Sequence, residues 1–288
     1  MNAPPLKSGF PTVGSLAEAY TTAAAAYTSV VQQGKIPGSS AEGAERAREE
    51  FLTALNNLQA SADCVQTLKE TVQSDIKQHL SEIGDLERQK LDHCADQLSD
   101  VIAKFRDGAK FGVQQLMGSA VKPRLRGAAE SFLDYSHAPT EAEFADFEAN
   151  DPFVQLFIST LDGIVSGLQP VLTESVAADL LVAAGGEAAK QMEKMLLKST
   201  FNRLGALQLD KELRELTTYL TSVAGWAVRE RFARLSQMAS LLNVETVPEA
   251  REYYQSSAVT WRLTPNEVRQ ILALRVDLPA EEVGKLKL

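Results

Sequence analysis

The chain has 288 residues, and its 29 Lys or Arg against 38 Asp or Glu give a formal net charge of −9. With 44% hydrophobic and 23% charged residues, it has the composition of a globular protein, which excludes a disordered chain. Only 7% of the residues are aromatic, and the chain is rich in alanine and leucine, which favours helices over an all-β sandwich or barrel. The acidic balance also disfavours a general nucleic-acid-binding protein, because such a protein needs a basic face.

The placement of proline gives the first outline of the helices. Two long stretches, 38–122 and 171–247, contain no proline, which is the strongest helix breaker. In the first stretch, apolar residues recur at alternating spacings of four and three, and their phase shifts near Gly84. We therefore predict two amphipathic helices, 44–80 and 86–118, that pair as an antiparallel hairpin.

Cap and turn residues divide the rest of the chain into further helices. One predicted helix runs from Asp151 and Pro152 through Leu168. A break at Gly185-Gly186 is predicted to separate helices 171–184 and 187–201. A long helix is predicted to be capped by Asp210 and to continue to Leu242, and a last helix, 265–275, to begin with a capping box of Thr264 and Glu267. Irregular structure is expected where proline, glycine and turn residues concentrate, near 1–14, 34–42, 135–150 and 254–263. No alternating run long enough for a sheet occurs, so the predicted fold class is all-α.

The sequence contains no residue pattern that is typical of an enzyme. His79 and His93 lie on predicted helices away from clustered acids, and His137 is the only other histidine. No phosphate-binding, dinucleotide-binding, zinc-protease or serine-hydrolase motif occurs. Cys64 and Cys94 do not make a disulfide framework, and we expect reduced thiols. We therefore expect neither catalysis nor a metal or other cofactor.

No apolar segment of the sequence has the length of a membrane span. The longest apolar-leaning uncharged stretch, Leu216–Val228, has 13 residues, whereas a membrane-spanning helix needs about 20. The first 15 residues lack the apolar core of a signal peptide. These features predict a soluble chain and leave peripheral membrane contact open.

The densest group of basic residues has two interpretations. The group is interrupted by apolar residues and consists of Lys190, Lys194, Lys198, Arg203, Lys211 and Arg214. One interpretation is a surface for an acidic partner or an anionic lipid. The other, which we favour, is the solvated side of an amphipathic helix. Nucleic acid is disfavoured further, because Phe201 is the only aromatic residue in this group.

Arg234 is the residue whose charge we expect to matter most. It lies among apolar residues in Phe232–Met238, and a partly buried arginine needs a partner. One candidate partner is Glu230, four residues earlier on the same predicted helix. The other is Glu267, which would tie the long helix to the C-terminal segment. The sequence leaves both pairs open.

The last 43 residues, Thr246–Leu288, are too few to bury a core alone, so we expect them to dock on the preceding helices. Trp261 is the expected anchor. The outer face of the segment is predicted to hold an exposed basic patch that binds an acidic partner, formed by Arg262, Arg269, Arg275, Lys285 and Lys287. Truncation near residue 245 is expected to leave the preceding bundle folded.

Several longer strings of residues resemble one known family. The match is close from about 144 to 288 and collinear but looser before that. The strings that carry it are Glu148–Phe153, Leu197–Gly205, Asp210–Arg214, Phe232–Met238, Thr260–Pro265 and Glu267–Arg275, with Leu55–Leu58, Lys104–Asp107 and Val121–Pro123 in the earlier part. They resemble the C-terminal part of subunit 4 of the conserved oligomeric Golgi complex. Phe153 and Leu209 depart from the family pattern, in which Trp and Phe are expected.

The resemblance implies a non-enzymatic subunit of a vesicle-tethering complex. Its fold would be elongated helical bundles stacked as in the rods of such complexes, with a small C-terminal helical domain. The implied domains are a helical hairpin region at 1–122, a helical bundle at 123–245 and the small domain at 246–288. The subunit would support retrograde intra-Golgi transport and normal glycosylation, as a peripheral protein on the cytoplasmic face of the Golgi membrane.

The resemblance also implies the class of partners. These are the other subunits of the conserved oligomeric Golgi complex and SNARE-related machinery, contacted mostly through an N-terminal part that we expect this chain to lack. Nucleic acid is not an expected partner, and membrane association is expected to be peripheral only. The alternative is a cytosolic helical adaptor that binds anionic membrane surfaces through the basic residues of 190–214. An enzyme with an unrecognised helical site is a distant third.

Overall fold

The computed structural model of the chain describes residues 41–79, 84–149, 152–256 and 260–288. These residues form α-helices joined by short turns and contain no β-strand, so the predicted all-α class is confirmed for them. The helices divide into two compact units, one formed by Met1–Leu116 with Val171–Ala177 and the other by Met117–Pro170 with Ala178–Leu288. The three domains inferred from the sequence stay a prediction.

The first unit is a helical hairpin. Helices α1 (Ala41–His79) and α2 (Asp85–Leu116) match the predicted helices to within three residues at each end. Lys69 of α1 donates to Ser99 of α2 at 2.5 Å, which fits the predicted antiparallel pair. The two predicted apolar stripes are buried between them and include Leu55, Leu58, Ala62, Val65, Leu98, Val101 and Phe105.

A short segment from later in the chain completes the first unit. The Asn56 side chain donates to the carbonyl oxygen of Val171 at 2.8 Å and accepts from the backbone N–H of Thr173 at 2.9 Å. Thr173 directly precedes the helix that begins at Glu174, where N–H groups lack partners within the helix, so one side-chain amide fixes the segment to α1.

The second unit contains nine α-helices within the described ranges. A π-helical turn, Met117–Val121, precedes them. They are α3 (Lys122–Glu130), α4 (Glu141–Ala149), α5 (Pro152–Leu168), α6 (Glu174–Leu196), α7 (Arg203–Ala224), α8 (Ala227–Leu242), α9 (Val247–Gln255), α10 (Pro265–Leu272) and α11 (Ala280–Lys285). The first four residues of α6 belong to the first unit. Helix α5 begins and ends where the sequence predicted, while Asp151 lies outside the described residues.

Helix α4 corrects the prediction of irregular structure over 135–150. Thr140 caps this helix, because its backbone N–H donates to Glu143 at 2.8 Å and its hydroxyl accepts from the Glu143 N–H at 3.4 Å. This reciprocal pair satisfies two N–H groups, and acidic residues in a first turn favour a helix. The irregular structure predicted near 254–263 is confirmed at 256 and 260–263, while 1–14 lies outside the described residues.

The predicted break at Gly185-Gly186 is wrong, since α6 continues through both glycines. The role of Gly185 is tertiary. A Cβ atom on Gly185 would lie 2.6 Å from Cγ2 of Val228, so the absence of a side chain lets α6 and α8 approach closely. Pattern analysis missed this role because glycine weakens a helix by only about 1 kcal/mol, which packing can offset.

The single long helix predicted from Asp210 to Leu242 is also wrong. Helix α7 ends at Ala224, and Gly225 follows with φ of 77°, a conformation that favours glycine. The cap of α7 is Asn202, whose side chain accepts from the Gly205 N–H at 2.9 Å. Asp210 therefore lies inside α7 instead of at its start.

Aromatic rings pack around His137 in the second unit. The imidazole stacks on Phe132 with ring centroids 3.8 Å apart and lies 5.3 Å from Phe201. Its Nε2 lies 2.8 Å from the Phe132 carbonyl oxygen, which can only accept, so Nε2 carries the proton. Burial lowers the pKa of His137, against the opposing effect of the hydrogen bond to Phe132. The ring is therefore a neutral packing element.

The C-terminal segment begins its helix as predicted. Thr264 and Glu267 form the capping box of α10. The helix ends at Leu272, three residues before the predicted end, because the chain then pairs with Phe201. The Phe201 N–H donates to the Leu274 carbonyl at 2.8 Å, and the Val276 N–H donates to the Phe201 carbonyl at 2.8 Å. These bonds form the isolated bridge of Phe201 with Arg275.

Candidate functional site

Arg234, on α8, joins three segments of the second unit. Its Nε donates to Glu193 of α6 at 2.9 Å, and its Nη2 donates to Glu267 of α10 at 2.7 Å. Its Nη1 donates to the backbone carbonyl of Arg262 at 2.8 Å. Of the two partners that the sequence left open, the structure places Glu267 on Arg234. Glu193 was not foreseen, because nothing local connects residues 41 positions apart.

The electrostatics of this junction follow from its geometry. The hydrogen bond from Arg234, followed by those from Thr264, lowers the pKa of Glu267 to about 2. The same hydrogen bond, from the side of the arginine, raises the pKa of Arg234. The side chains of Arg234 and Glu267 are 31% and 33% exposed, so solvent screens their attraction. The junction therefore contributes geometry more than energy.

Arg262 pairs with Glu230 of α8, the carboxylate that was the other candidate partner of Arg234. Its guanidinium forms an ion pair with Glu230 while remaining 43% exposed. Its backbone N–H donates to Gln237 at 2.9 Å, and the Gln237 amide donates to the Thr260 carbonyl at 2.9 Å. Gln237 is buried and pairs with a chain segment that has no helical hydrogen bonds of its own. Its position among apolar residues was the only sequence signal for this role.

Trp261 packs against α9. Its ring centroid lies 5.0 Å from that of Tyr253 and 4.9 Å from that of Tyr254. The Tyr254 hydroxyl donates to the Leu263 carbonyl at 3.1 Å, which fixes the segment two residues after the tryptophan. The indole N–H is buried and lacks a partner among the described residues. The anchor therefore holds the C-terminal segment to its own first helix.

Arg275 corrects the predicted basic patch, because it is buried and only 5% exposed. Its guanidinium donates to Asp277 at 2.7 Å and to the carbonyl oxygens of Val244, at 3.1 Å, and Leu242. Carbonyls at a helix end lack partners within the helix, so the arginine satisfies the end of α8. It pairs inside the fold instead of offering its charge to an outside partner.

The other members of the patch differ in exposure. Arg269 is half-buried, and its guanidinium donates to the Leu286 carbonyl at 3.1 Å and to Asn266. Lys285 is exposed and forms an ion pair with Glu281 at 3.3 Å, and Lys287 is exposed. Within the described residues, the patch is therefore smaller than predicted. A role for Arg262 and Arg269 in binding a partner stays a prediction.

A groove of about 760 Å³ lies beside the Arg234 junction. Its lining includes the apolar residues Val182, Ala183 and Leu235. The lining also holds charges of both signs, from Glu187, Lys190, Glu193, Glu230, Arg231, Arg234 and Arg262. Several of these charges already pair with each other, so the groove lacks the single sign of charge that a steering site needs.

The basic group at 190–214 is only partly free. Arg203 pairs with Glu245 at 2.9 Å, and Arg214 pairs with Asp210 on its own helix. Lys190, Lys194 and Lys198 are exposed along the end of α6. Lipid binding by this group stays a prediction.

Metal binding and membrane insertion depend on features that the structure also shows. Among the described residues, no group of three or more His, Cys, Asp or Glu has the arrangement of a metal site. Within the same part of the chain, no helix is both long enough and apolar enough to cross a membrane.

Comparison with known proteins gives one consistent result. The family described as "Conserved oligomeric Golgi complex subunit 4, C-terminal" matches residues 51–270. A protein of that name from Bos taurus is 43% identical over 293 residues, which is 98% of this chain and 37% of that protein. The Homo sapiens protein of the same name is 42% identical over 98% of this chain and 37% of its own length. The Drosophila melanogaster protein is 39% identical over 99% of this chain and 36% of its own length. The chain thus spans little more than a third of these relatives.

Proposed function

Because the chain belongs to the family of subunit 4 of the conserved oligomeric Golgi complex, we propose that it functions as a non-enzymatic part of a Golgi vesicle-tethering complex. The proposed role is support of retrograde intra-Golgi transport and, through it, of normal glycosylation. The observation that carries the proposal is the family match over residues 51–270, which includes residues of both compact units.

The partners in this proposal are the other subunits of the Golgi complex. SNARE-related machinery is a further proposed partner, and the proposed location is the cytoplasmic face of the Golgi membrane, with peripheral association. The relatives named above are called subunits of an oligomeric complex, which supports assembly with other subunits. A tethering subunit would act through surfaces that bind its partners, so the packing that holds those surfaces in place matters to the proposal.

The Arg234 junction supplies such a fixed arrangement within the second unit. It joins α6, α8 and α10 through two carboxylates and one backbone carbonyl. We assign Arg234, Glu267 and Trp261 to positioning of the C-terminal segment. In this proposal the faces next to them, including the exposed part of Arg262, contact the other subunits.

The test uses human cells that lack their own subunit 4. The 289-residue matched segment of the human relative is replaced by this chain, and the chimera is expressed in these cells. We expect the chimera to co-precipitate the other subunits and to restore the lectin-binding pattern of the cell-surface glycans. Lectin binding reports glycosylation, while co-precipitation reports assembly.

The intact human relative is the positive control, and the same relative without the matched segment is the negative control. A chimera that is present at the normal level and restores neither readout would contradict the proposal. A chimera with Arg234→Ala is expected to assemble less well, because the C-terminal segment loses its position. A matched Arg251→Ala chimera, changed at an exposed residue of α9, is expected to behave like the unsubstituted chimera.

A further inference from the structure

Trp226 is the most exposed large hydrophobic side chain of the described residues, with 73% of its surface accessible. Tryptophan is usually highly buried, because its ring gives the largest apolar area of any side chain. It lies in the turn between α7 and α8, where Gly225 takes its positive φ of 77°. Gly225, Trp226 and Ala227 are all exposed, so the turn presents a small uncharged tip.

Positive charges follow this tip in the sequence. Residues 216–228 carry no charged side chain, and the first charges after them are those of Arg229, Glu230 and Arg231. The Arg229 guanidinium stacks over the Trp226 ring at 4.3 Å from its centroid. Glu230 is already held by Arg262. Among the described residues, Arg229 and Arg231 form no ion pair with a carboxylate, so their charges remain available.

The negative charge of the chain is unevenly distributed along the sequence. Residues 178–288 hold 15 Lys or Arg and 14 Asp or Glu, a net charge of +1. The other 177 residues hold 14 and 24, a net charge of −10. The tip therefore lies in the less acidic of these two parts of the sequence.

We propose that the Trp226 tip is a membrane contact, in which the indole enters the interface of an anionic bilayer and Arg229 and Arg231 meet the lipid headgroups. Tryptophan is enriched at the level of the headgroups because its ring is both apolar and polar. Arginines next to such a ring add attraction to anionic lipids. The observations favour a bilayer over an acidic protein because the apolar element is a projecting turn, which a soft interface accepts without a matching pocket.

This contact adds a lipid-binding role to the proposed function and rests on it only for the presence of a membrane. Vesicle binding by the purified chain requires no other subunit of the Golgi complex. A chain that binds vesicles but fails in the chimera experiment, or the reverse, would therefore separate the two proposals.

The first test uses the fluorescence of Trp226 alone. The sequence has two tryptophans, so the full chain with Trp261→Phe reports only on Trp226. Phenylalanine keeps a ring between Tyr253 and Tyr254 and sacrifices no hydrogen bond among the described residues. When vesicles of phosphatidylcholine with phosphatidylserine are added, we expect the emission of Trp226 to shift to the blue. We also expect lipids brominated near the headgroup to quench this emission. Pure phosphatidylcholine vesicles are expected to give a much smaller effect.

The second test measures co-sedimentation of the full chain with the same anionic vesicles. Trp226→Ser is expected to weaken binding about tenfold, since an exposed indole loses its burial in the interface. Each of Arg229→Gln and Arg231→Gln is expected to weaken it about fivefold, with a reduced dependence on salt. Lys104→Gln with Lys110→Gln, a matched loss of two exposed charges on α2, is expected to leave binding unchanged.

Circular dichroism checks that each variant keeps its helices, which the exposure of the changed side chains leads us to expect. The proposal is overturned if emission does not shift with anionic vesicles, or if Trp226→Ser binds them as the unchanged chain does. It is also overturned if Trp226→Ser reduces co-precipitation of the other Golgi-complex subunits without changing vesicle binding, because the tip then contacts a protein.

Discussion

At the scale of single residues, two arginines show what the sequence can predict. Arg234 stood out because it is a charged residue in an apolar stretch, and Glu267 was recognisable as a candidate partner from its capping box. Arg275 was assigned to an exposed patch, yet the structure buries it on the carbonyls of Leu242 and Val244, 33 and 31 positions earlier. Backbone carbonyls leave no mark in a sequence, so a guanidinium that satisfies a helix end looks like any other surface arginine.

The Glu267 carboxylate makes stability depend on acid. Its pKa is lowered from 4.5 to about 2 in the folded chain, chiefly by the hydrogen bond from Arg234. The folded state therefore binds this proton more weakly than the unfolded state. The contribution is complete above pH of about 4.5 and is lost as the pH falls through about 2. We expect about 1 kcal/mol from this group, since a side chain that is one-third exposed is screened by solvent.

Glu267→Gln isolates this effect. Glutamine keeps the size of the side chain and its ability to accept from Thr264, while it removes the titrating group. The free energy of unfolding is measured with urea between pH 4.5 and 2. We expect it to fall more steeply with pH in the unchanged chain than in the variant. Glu281→Gln, at an exposed residue of α11, is the matched control and should retain the steeper loss. Equal slopes for the unchanged chain and Glu267→Gln would contradict the assignment.

At the scale of helices, local sequence signals predicted helix bounds well, whereas the effects of the glycines were predicted poorly. The hairpin of α1 and α2 followed from a repeated apolar spacing, and the start of α10 from three residues of a capping box. Both signals act within a few turns of helix. The role of Gly185 depends on Val228, which is 43 positions away, so its tertiary contact could not be inferred from residues next to it. The break at Gly225 was missed because the apolar pattern continues across it.

The two neighbouring glycines of α6 give a matched pair of substitutions. We expect Gly185→Ala to lower the free energy of unfolding by about 1–3 kcal/mol, because its Cβ would lie 2.6 Å from a buried and stiff valine side chain. A Cβ on Gly186 would lie 3.6 Å from Cδ of Arg231, an ordinary contact. Gly186→Ala is therefore expected to raise the free energy of unfolding by about 0.5 kcal/mol through helix propensity. Denaturant unfolding of both variants measures the difference.

Val228→Ala provides the cycle that checks the cause. This change leaves a cavity in the unchanged chain but makes room for the methyl group of Gly185→Ala. We expect the double variant to lose less free energy of unfolding than the sum of the losses in the two single variants. Additive effects would show that Gly185→Ala acts through something other than contact with Val228.

At the scale of the whole molecule, the C-terminal segment contacts the helices before it through hydrogen bonds and ion pairs. Arg275 satisfies carbonyls at the end of α8, Glu267 holds Arg234, and Phe201 pairs with the chain at 274–276. The segment also buries apolar side chains of its own, among them Val268, Ile271 and Leu272. The contacts predict a different result of truncation from the one that the sequence suggested, since they make the segment part of the core of the second unit.

We therefore expect a chain that ends at Glu245 to keep its helical signal but to lose protection in the second unit. Without Arg275, the last carbonyls of α8 lose their partner, and without Glu267, Arg234 keeps one carboxylate instead of two. Hydrogen exchange followed by mass spectrometry should show amides at the end of α8 exchanging at least about tenfold faster, which corresponds to about 1.4 kcal/mol of local stability. Helices α1 and α2 supply none of these bonds and serve as the internal control.

The full chain with Arg275→Met, which keeps the length of the stem but not the donors, should reproduce the effect at α8 and leave Arg234 with both carboxylates. Unchanged exchange at α8 in both proteins would mean that the C-terminal segment is an independent addition to the fold.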